Sequence, residues 1–369
     1  MSNSISEFFN SIFGKAKVGS VIGIDIGSAS IKAVQAKLVD GKAILETYGA
    51  LSLGTYNKTD HGTVTNLEPA VVAGAVVDIV NEMKSSTATA AFVLPSQNAL
   101  VFILELPDAI GESELPEVVK NEARSHIPVA IADVTLDWFV IPKREGLDLV
   151  GQDPTQNKKE ILVVAVLGDT VKRFQNIIMP TKLESQFLEV EIFSAVRAVL
   201  GRELSPVLLI DMGASKTKLT IVEYGVVWHV HIINKGGADI TQSIATSKGI
   251  TFARAEELKI THGLQSTPEF SYVSDLVRLS TDYILSEANS VVLEYEKKYN
   301  KAVSKVIMYG GSSRIKGFAQ EAESAFRCDV TYAEPFNKMD SPEFLAPTLK
   351  NIGPEFVGAI GAALRLLRS

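Results

Sequence analysis

Short apolar runs alternate along the chain with stretches of helical spacing, the pattern of a layered α/β protein. Residues 21–26 read as a buried strand that turns at Gly27-Ser28-Ala29-Ser30 into a second strand over 31–37, which makes a hairpin and not a strand-to-helix turn. Polar residues at 56–66 form a loop, residues 69–83 carry helical spacing through Val72, Val76, Ile79 and Val80, and a strand follows at 90–94. Residues 95–180 have their own logic and read as an inserted subdomain, with strands at 100–106, 134–141 and 161–167 around one helix. That helix buries Leu115, Val118, Val119, Ala123 and Ile127; Ser113 is its expected N-cap, Glu114 and Glu117 suit the positive end of its dipole, and Pro128 stops it.

The second half repeats the opening. Residues 207–210 lead through Asp211-Met212-Gly213-Ala214-Ser215 into a strand at 218–222, a duplication that predicts two related lobes. A helix-rich stretch at 239–299, a strand at 305–308 ending in Gly310-Gly311, a proline-dotted loop at 334–354 and a small-residue helix at 356–367 follow.

The matched hairpins are the first candidate chemistry. A strand ending in Asp and then Gly with small residues lets backbone N–H groups approach phosphate oxygens, and a rigidly held Asp can reach magnesium directly or through water. Asp-Gly and Gly-Ser are also common in plain tight turns, so each hairpin alone is ambiguous, and two facing copies change the weighing. Gly310-Gly311 would let the main chain lie against a flat base, with Ser312 beside it and the planar guanidinium of Arg314 placed to stack on it. A plain strand-to-helix connection capped by Ser312 or Ser313 is the other reading.

Composition narrows the field. At 369 residues the chain exceeds what one core normally serves, and 46% hydrophobic with 21% charged residues is ordinary for a packed globular protein. A net charge of -7 argues against non-specific attraction to nucleic acid or anionic lipid. Cys328 has no partner cysteine, and His61, His126, His229, His231 and His262 lack zinc-ligand spacing, which fits a reducing cytosol and no structural metal. No apolar run reaches the roughly 18 residues a membrane span needs. Ile5, Phe8, Phe9, Ile12 and Phe13 would share one stripe of a short helix, either resting on a membrane or partner, or docking on the protein's own domain.

Hairpin, hairpin and Gly-Gly, each at a strand end, resemble the superfamily of actin, Hsp-type chaperones and sugar kinases. The resemblance implies an α/β, actin-like (ribonuclease H-like) two-lobed fold with duplicated lobes, and ATP with Mg2+ clamped between them. Gly27, Ser28, Ala29, Ser30 and Lys32 would then face the phosphates with Gly213, Ala214 and Ser215, and Asp25 and Asp211 the metal. Gly236-Gly237 resembles the lobe-two turn, and Glu256 and Lys259 stand where that helix contacts ribose and adenine; without the resemblance they read as charges on an exposed face. Glu191 would orient the attacking water or, equally, cap its helix. The helices at 191–200 and 356–367 look like the crossing helices that hinge the lobes, with Ala195, Ala198, Gly358, Gly361 and Ala362 permitting close approach.

The inserted region decides the branch. Leu94-Pro95-Ser96, Glu105-Leu106-Pro107, Glu114-Leu115-Pro116, Asn121-Glu122-Ala123, Ile127-Pro128 and Asp137-Trp138 are similar in order and spacing to the PilM family of type IV pilus proteins, whose insert is of the FtsA type. Glu191-Ile192-Phe193-Ser194-Ala195 and Glu334-Pro335-Phe336 look like further family positions. Two features depart from the pattern: His229, His231 and Lys235 stand where an Arg usually precedes the lobe-two Gly-Gly, and Ala-Gly-Leu is absent before Glu191. The implied division is a first-lobe subdomain at 21–96, 181–206 and 352–369, the insert at 97–180, a second lobe at 207–235 and 306–351, and its helical subdomain at 236–305. The implied role is a cytoplasmic ATP-binding scaffold with slow turnover at most. The short N-terminal tail of a PilN-like membrane protein would recruit it to the inner membrane, lying between the first lobe and the insert. An FtsA-like filament protein and a small-metabolite kinase are the rival functions.

Overall fold

The structure is a computed structural model that describes residues 19–142, 158–201, 203–265 and 267–368. The apolar stripe expected near the start of the chain lies outside the described residues. In chain order the first lobe opens with strands β1 (Ser20–Ile26), β2 (Ser30–Val39) and β3 (Lys42–Ser52), helix α1 (Pro69–Glu82) and strand β4 (Thr89–Leu94). The insert contributes β5 (Ala99–Pro107), α2 (Leu115–Ala123), β6 (Val134–Val140) and β7 (Lys158–Leu167), after which α3 (Gly168–Ile178), β8 (Glu184–Val190) and α4 (Glu191–Val199) return to the first lobe. The second lobe holds β9 (Val207–Met212), β10 (Thr217–Glu223), β11 (Val226–Ile233), α5 (Gly237–Lys248), α6 (Phe252–His262), α7 (Ser271–Tyr299), β12 (Lys305–Tyr309), α8 (Phe318–Phe326) and β13 (Asp329–Tyr332), followed by α9 (Ala346–Ile352) and the closing helix α10 (Val357–Arg368).

The duplication extends through the whole of each sheet. The first sheet runs β3-β2-β1-β4-β8 and the second β11-β10-β9-β12-β13. In both, the first three strands are antiparallel and the last two join in parallel. Both second hairpins turn on a residue and a glycine at positive φ, Asp40-Gly41 and Tyr224-Gly225; such two-residue turns match the twist of the flanking strands. β9 is buried at every position because it lies at the centre of its sheet with helices over it. The insert is a separate three-stranded sheet, β5-β7-β6, closed by α2 over Leu104, Leu115, Val119, Ile161 and Val163.

Two boundaries differ from those read in the sequence. Helix α2 starts at Leu115 with Glu114 at the capping position and no side-chain cap. The Glu114 carboxylate instead accepts the Gly111 N–H at 3.2 Å, so the acid ties down the preceding loop and Ser113 is not the cap. Phe174 and Ile177 of α3 pack with Val72, Val76 and Ile79 in the first-lobe core, so the insert's own core ends with β7.

Helices α4 and α10 cross beside the points where the chain leaves the first lobe and returns to it. A Cβ on Gly23 would lie 1.9 Å from the Ala359 carbonyl oxygen, and one on Gly361 2.0 Å from that of Ser194; these glycines set how closely α10 seats on β1 and crosses α4. Buried Glu189, at the end of β8, fastens the crossing: Arg197 of α4 donates to both its oxygens at 2.7 and 2.8 Å, and Arg365 of α10 donates at 2.9 Å. Burial pushes the Glu189 carboxyl up, and the two guanidiniums bring it below its usual range. Gly361→Val tests the crossing. Higher helix propensity favours valine slightly, by a few tenths of a kcal/mol, but a branched side chain forced against backbone costs about 3 kcal/mol, so urea unfolding should show a loss of about that size.

Candidate functional site

The C-terminal ends of β1, β9 and β12 point into one cleft of about 590 Å³, within the roughly 300–1,000 Å³ usual for cofactor sites. Its walls carry both hairpin turns, Gly27, Ser28, Ala29 and Ser30 from the first lobe and Gly213, Ala214 and Ser215 from the second. Each turn is closed by a matching bond, Gly27 N–H to the Ser30 oxygen and Gly213 N–H to the Lys216 oxygen, both 3.0 Å. Gly310 and Gly311 form a third wall with Ser312. Gly310 sits at φ +90°, and a Cβ there would lie 2.4 Å from Asp211 Oδ1, so only glycine lets the shelf rest against that carboxylate.

Gly237 lines the cleft at the start of α5, where its N–H donates to the Gly213 oxygen at 2.9 Å; a Cβ on it would strike Ser312. Gly236 stands just behind, with Ala214 backbone against the place of its Cβ. It thus lets the lobe-two turn close on the second hairpin and does not itself line the cleft. Glu256 and Lys259 of α6 do line it, paired at 2.8 Å. Lys259 is 4% exposed and also donates to the Gly237 oxygen at 3.1 Å, which fixes α6 against α5; burial lowers its ammonium below the ordinary range, against the pull of Glu256. Arg314 is not brought into the cleft: it is exposed, with its guanidinium 5.0 Å from the centre of the Tyr332 ring.

Three carboxylates gather at the base of the cleft. Asp25 ends β1 beside α10, where a Cβ on Gly358 would come 2.4 Å from its Oδ2. Asp211 ends β9, and Glu191 opens α4. Glu191 does not cap its helix; its Oε2 accepts the Lys218 ammonium at 2.6 Å and lies 3.4 Å from the Ser96 N–H. Lys218 also donates to Asp211 Oδ2 at 2.8 Å. Burial, then the charge of Glu191, pushes Asp25 up to about 7, while burial pushes Asp211 up to about 6 against Lys218. Glu191 also feels burial, but Lys218 brings it below its ordinary value.

Sequence reasoning missed Lys218, although the repeat held the signal. Asp25 faces Lys32 across β1 and β2, and Asp211 faces Lys218 across β9 and β10. His61, Tyr309, Ile260 and Glu355 also line the cleft without having been singled out. Ile260, 61% exposed, offers an apolar edge on the α6 side.

Comparison with known proteins agrees with this layout. The family described as type IV pilus assembly protein PilM matches residues 23–367. The chain belongs to the PilM family. Its fold is similar to that of a solved PilM-PilN type IV pilus biogenesis complex, with a TM-score of 0.78 at 21% identity over 94% of this chain and 98% of that one. The ethanolamine utilization protein EutJ from Carboxydothermus hydrogenoformans is also similar, with a TM-score of 0.51 at 16% identity over 98% of this chain and 97% of that one. Among curated relatives, the cell division protein FtsA of Enterococcus faecalis is 21% identical over 87% of this chain and 80% of its own length; that of Pseudomonas aeruginosa is 21% identical over 86% and 83%. The PilM-family chain therefore has the actin-like two-lobed fold that its hairpins predicted.

The raised carboxyls give a pH signature. Asp25 and Asp211 hold protons more tightly folded than unfolded, so the stability they contribute is full below the ordinary carboxylate range and is lost as pH rises through about 6 and 7. The ligand-free protein should unfold at lower urea at pH 8 than at pH 6.5. Asp25→Asn should remove most of that difference, and an unchanged slope in the variant would show that Asp25 does not cause it.

Proposed function

We propose that this PilM-family protein is an ATP-binding scaffold of the type IV pilus assembly platform. The observation that carries the reading is the convergence of two glycine hairpins, headed by Asp25 and Asp211, with the Gly310-Gly311 shelf in one cleft. N–H groups of the two turns suit phosphate oxygens, the ammonium of Lys32 adds positive charge, and Glu256, Lys259 and the shelf form the nucleoside end. Asp25, Asp211 and Glu191 stand where the magnesium of a nucleotide would enter, but Lys218 already bridges Asp211 and Glu191, and no three such side chains among the described residues converge as ligands for a metal ion. Asp25 would meet the ion directly or through water, and Asp211 through water, because its two oxygens face Lys218 and Gly310. An ion brought in with the nucleotide would neutralise phosphate charge, and Glu191, once released from Lys218, would orient a water in slow turnover.

The partner is the short cytoplasmic tail of a PilN-like membrane protein. A PilN is in the complex to which this fold is similar, and no helix among the described residues is long and apolar enough to cross a membrane. The tail would bring the scaffold to the cytoplasmic face of the inner membrane. The tail would lie in the groove between first lobe and insert, and the nucleotide in the cleft between the lobes.

Two measurements test the reading. Calorimetric titration with a PilN-like N-terminal peptide should give an affinity that changes on adding Mg-ATP, with the peptide changing ATP affinity by the same factor, as linkage requires. A peptide that does not bind, or ATP turnover at the rate of a dedicated kinase, would sink the scaffold assignment. Gly311→Val tests the shelf: a Cβ there has nothing nearer than the Glu355 side chain at 3.8 Å, so the fold should keep its stability. A bulky group where the base would lie should weaken ATP binding by about tenfold or more, about 1.4 kcal/mol or more.

A further inference from the structure

Lys32 and Lys218 occupy matching places in the two hairpins but have different neighbours. Lys32 reaches the Ser30 hydroxyl and, at 3.5 Å, Glu355, both of which line the cleft. Lys218 bridges two carboxylates. Its ammonium sits 2.6 Å from Glu191 of the first lobe and 2.8 Å from Asp211 of the second; its side chain is as buried as that of Lys32, so the two lysines differ in their partners and not in exposure. An ammonium has three donors; two are used in this bridge, and the third is left for an oxygen entering from the cleft. Asp211 is filled on its other side, where Gly310 approaches Oδ1. Although Asp25, Asp211 and Glu191 share one cleft, no three His, Cys, Asp or Glu residues among the described residues converge as ligands for a metal ion.

We propose that Lys218 is the resident cation of this cleft, seated between Asp211 and Glu191 where a carboxylate-bound divalent ion would otherwise lie, so that nucleotide binds with little dependence on magnesium. The inference rests on the nucleotide reading of the cleft. A covalently attached charge is present before any ligand arrives and loses little freedom on meeting a phosphate, whereas magnesium must first shed tightly held water. The same bridge joins the lobes across the cleft floor. It also engages the carboxylate of Glu191, which then has to exchange Lys218 for water before it can assist hydrolysis, and turnover is slow for that reason.

The test is polarisation of a fluorescent ATP analogue with the full chain, in excess magnesium and in excess EDTA. Wild-type affinity should differ by less than about threefold between the two conditions, Lys218→Arg should behave alike, and Lys218→Met should depend on magnesium by about thirtyfold or more. Without nucleotide, manganese followed by electron paramagnetic resonance should bind Lys218→Met and raise its melting temperature, and should do neither to wild type. A merely structural lysine would alter stability without creating that manganese site. A wild-type loss of tenfold or more in EDTA overturns the proposal, even if Lys218→Met fails to fold, and so does manganese binding equal in wild type and variant. If no nucleotide binds under any condition, the nucleotide reading fails, while the manganese comparison still decides the place of Lys218.

Discussion

Three carboxylates held at one buried point are the constraint around which the rest of the molecule is arranged. Asp25 and Asp211 come from the ends of equivalent central strands and Glu191 from the first turn of a crossing helix, so the fold itself brings like charges together. Burial makes each of them costly unless a cation or a hydrogen-bond donor is close. Lys218 answers part of that cost, and the glycine turns of both hairpins line the same cleft. A cleft that gathers acid at its floor and amide donors on its walls favours a ligand that brings anionic oxygens together with a cation, or that meets a cation already in place.

Such a point charge cluster needs rigid support. Gly23, Gly358 and Gly361 allow α10 to sit against β1, Asp25 and α4 at distances that any side chain would forbid. Glu189, two residues before Glu191, binds Arg197 and Arg365 on the far side of the same junction. The removal of one partner in such a buried network leaves an uncompensated charge. The junction is therefore dense where α4 and α10 cross and polar where the cleft begins, so close packing and charged side chains lie within a few residues of each other.

The fold was legible where sequence patterns repeat and illegible where they do not. Both Asp-Gly hairpins, the glycine shelf and the insert were read in place because turn glycines and alternating strands are local signals. β3, β8, β11 and β13 were not read, since each is an outer strand of its sheet, with the mixed polar and apolar positions that a half-covered face permits. α3 was assigned to the insert by sequence position, but its Phe174 and Ile177 belong to a core assembled from distant residues. Within the site, glycines announced themselves and Lys218 did not, because a lysine in a strand looks like a solvated charge until its cross-strand partner is placed beside it. Arg314 shows the reverse error: a planar cation near a glycine pair suggested stacking on a base, and the structure stacks it on Tyr332.

The insert is joined to the cleft by more than proximity. β7 runs straight into α3, whose Arg173, Phe174 and Ile177 line the same cleft as the hairpins. Arg173 donates to the Leu67 oxygen at 2.5 Å, at the end of the loop that crosses toward the second lobe. In that loop Asp60 accepts the Ala253 N–H at 3.1 Å, and Gly62 lies against Phe252 and Glu256 of α6. A change in the angle between the lobes would load the Asp60 contact, and the strain would fall on a loop whose other end is held by α3, the helix that carries the chain from β7 of the insert into the first-lobe core. Contiguity of this kind does not by itself amount to coupling. The loop at residues 60–67 is one physical link between the second lobe and the elements beside the insert, and a second is direct: β11 lies against β5, and Val101, Ile103 and Leu162 of the insert share a core with Val227 and Val230, so a change in lobe angle would load both contacts.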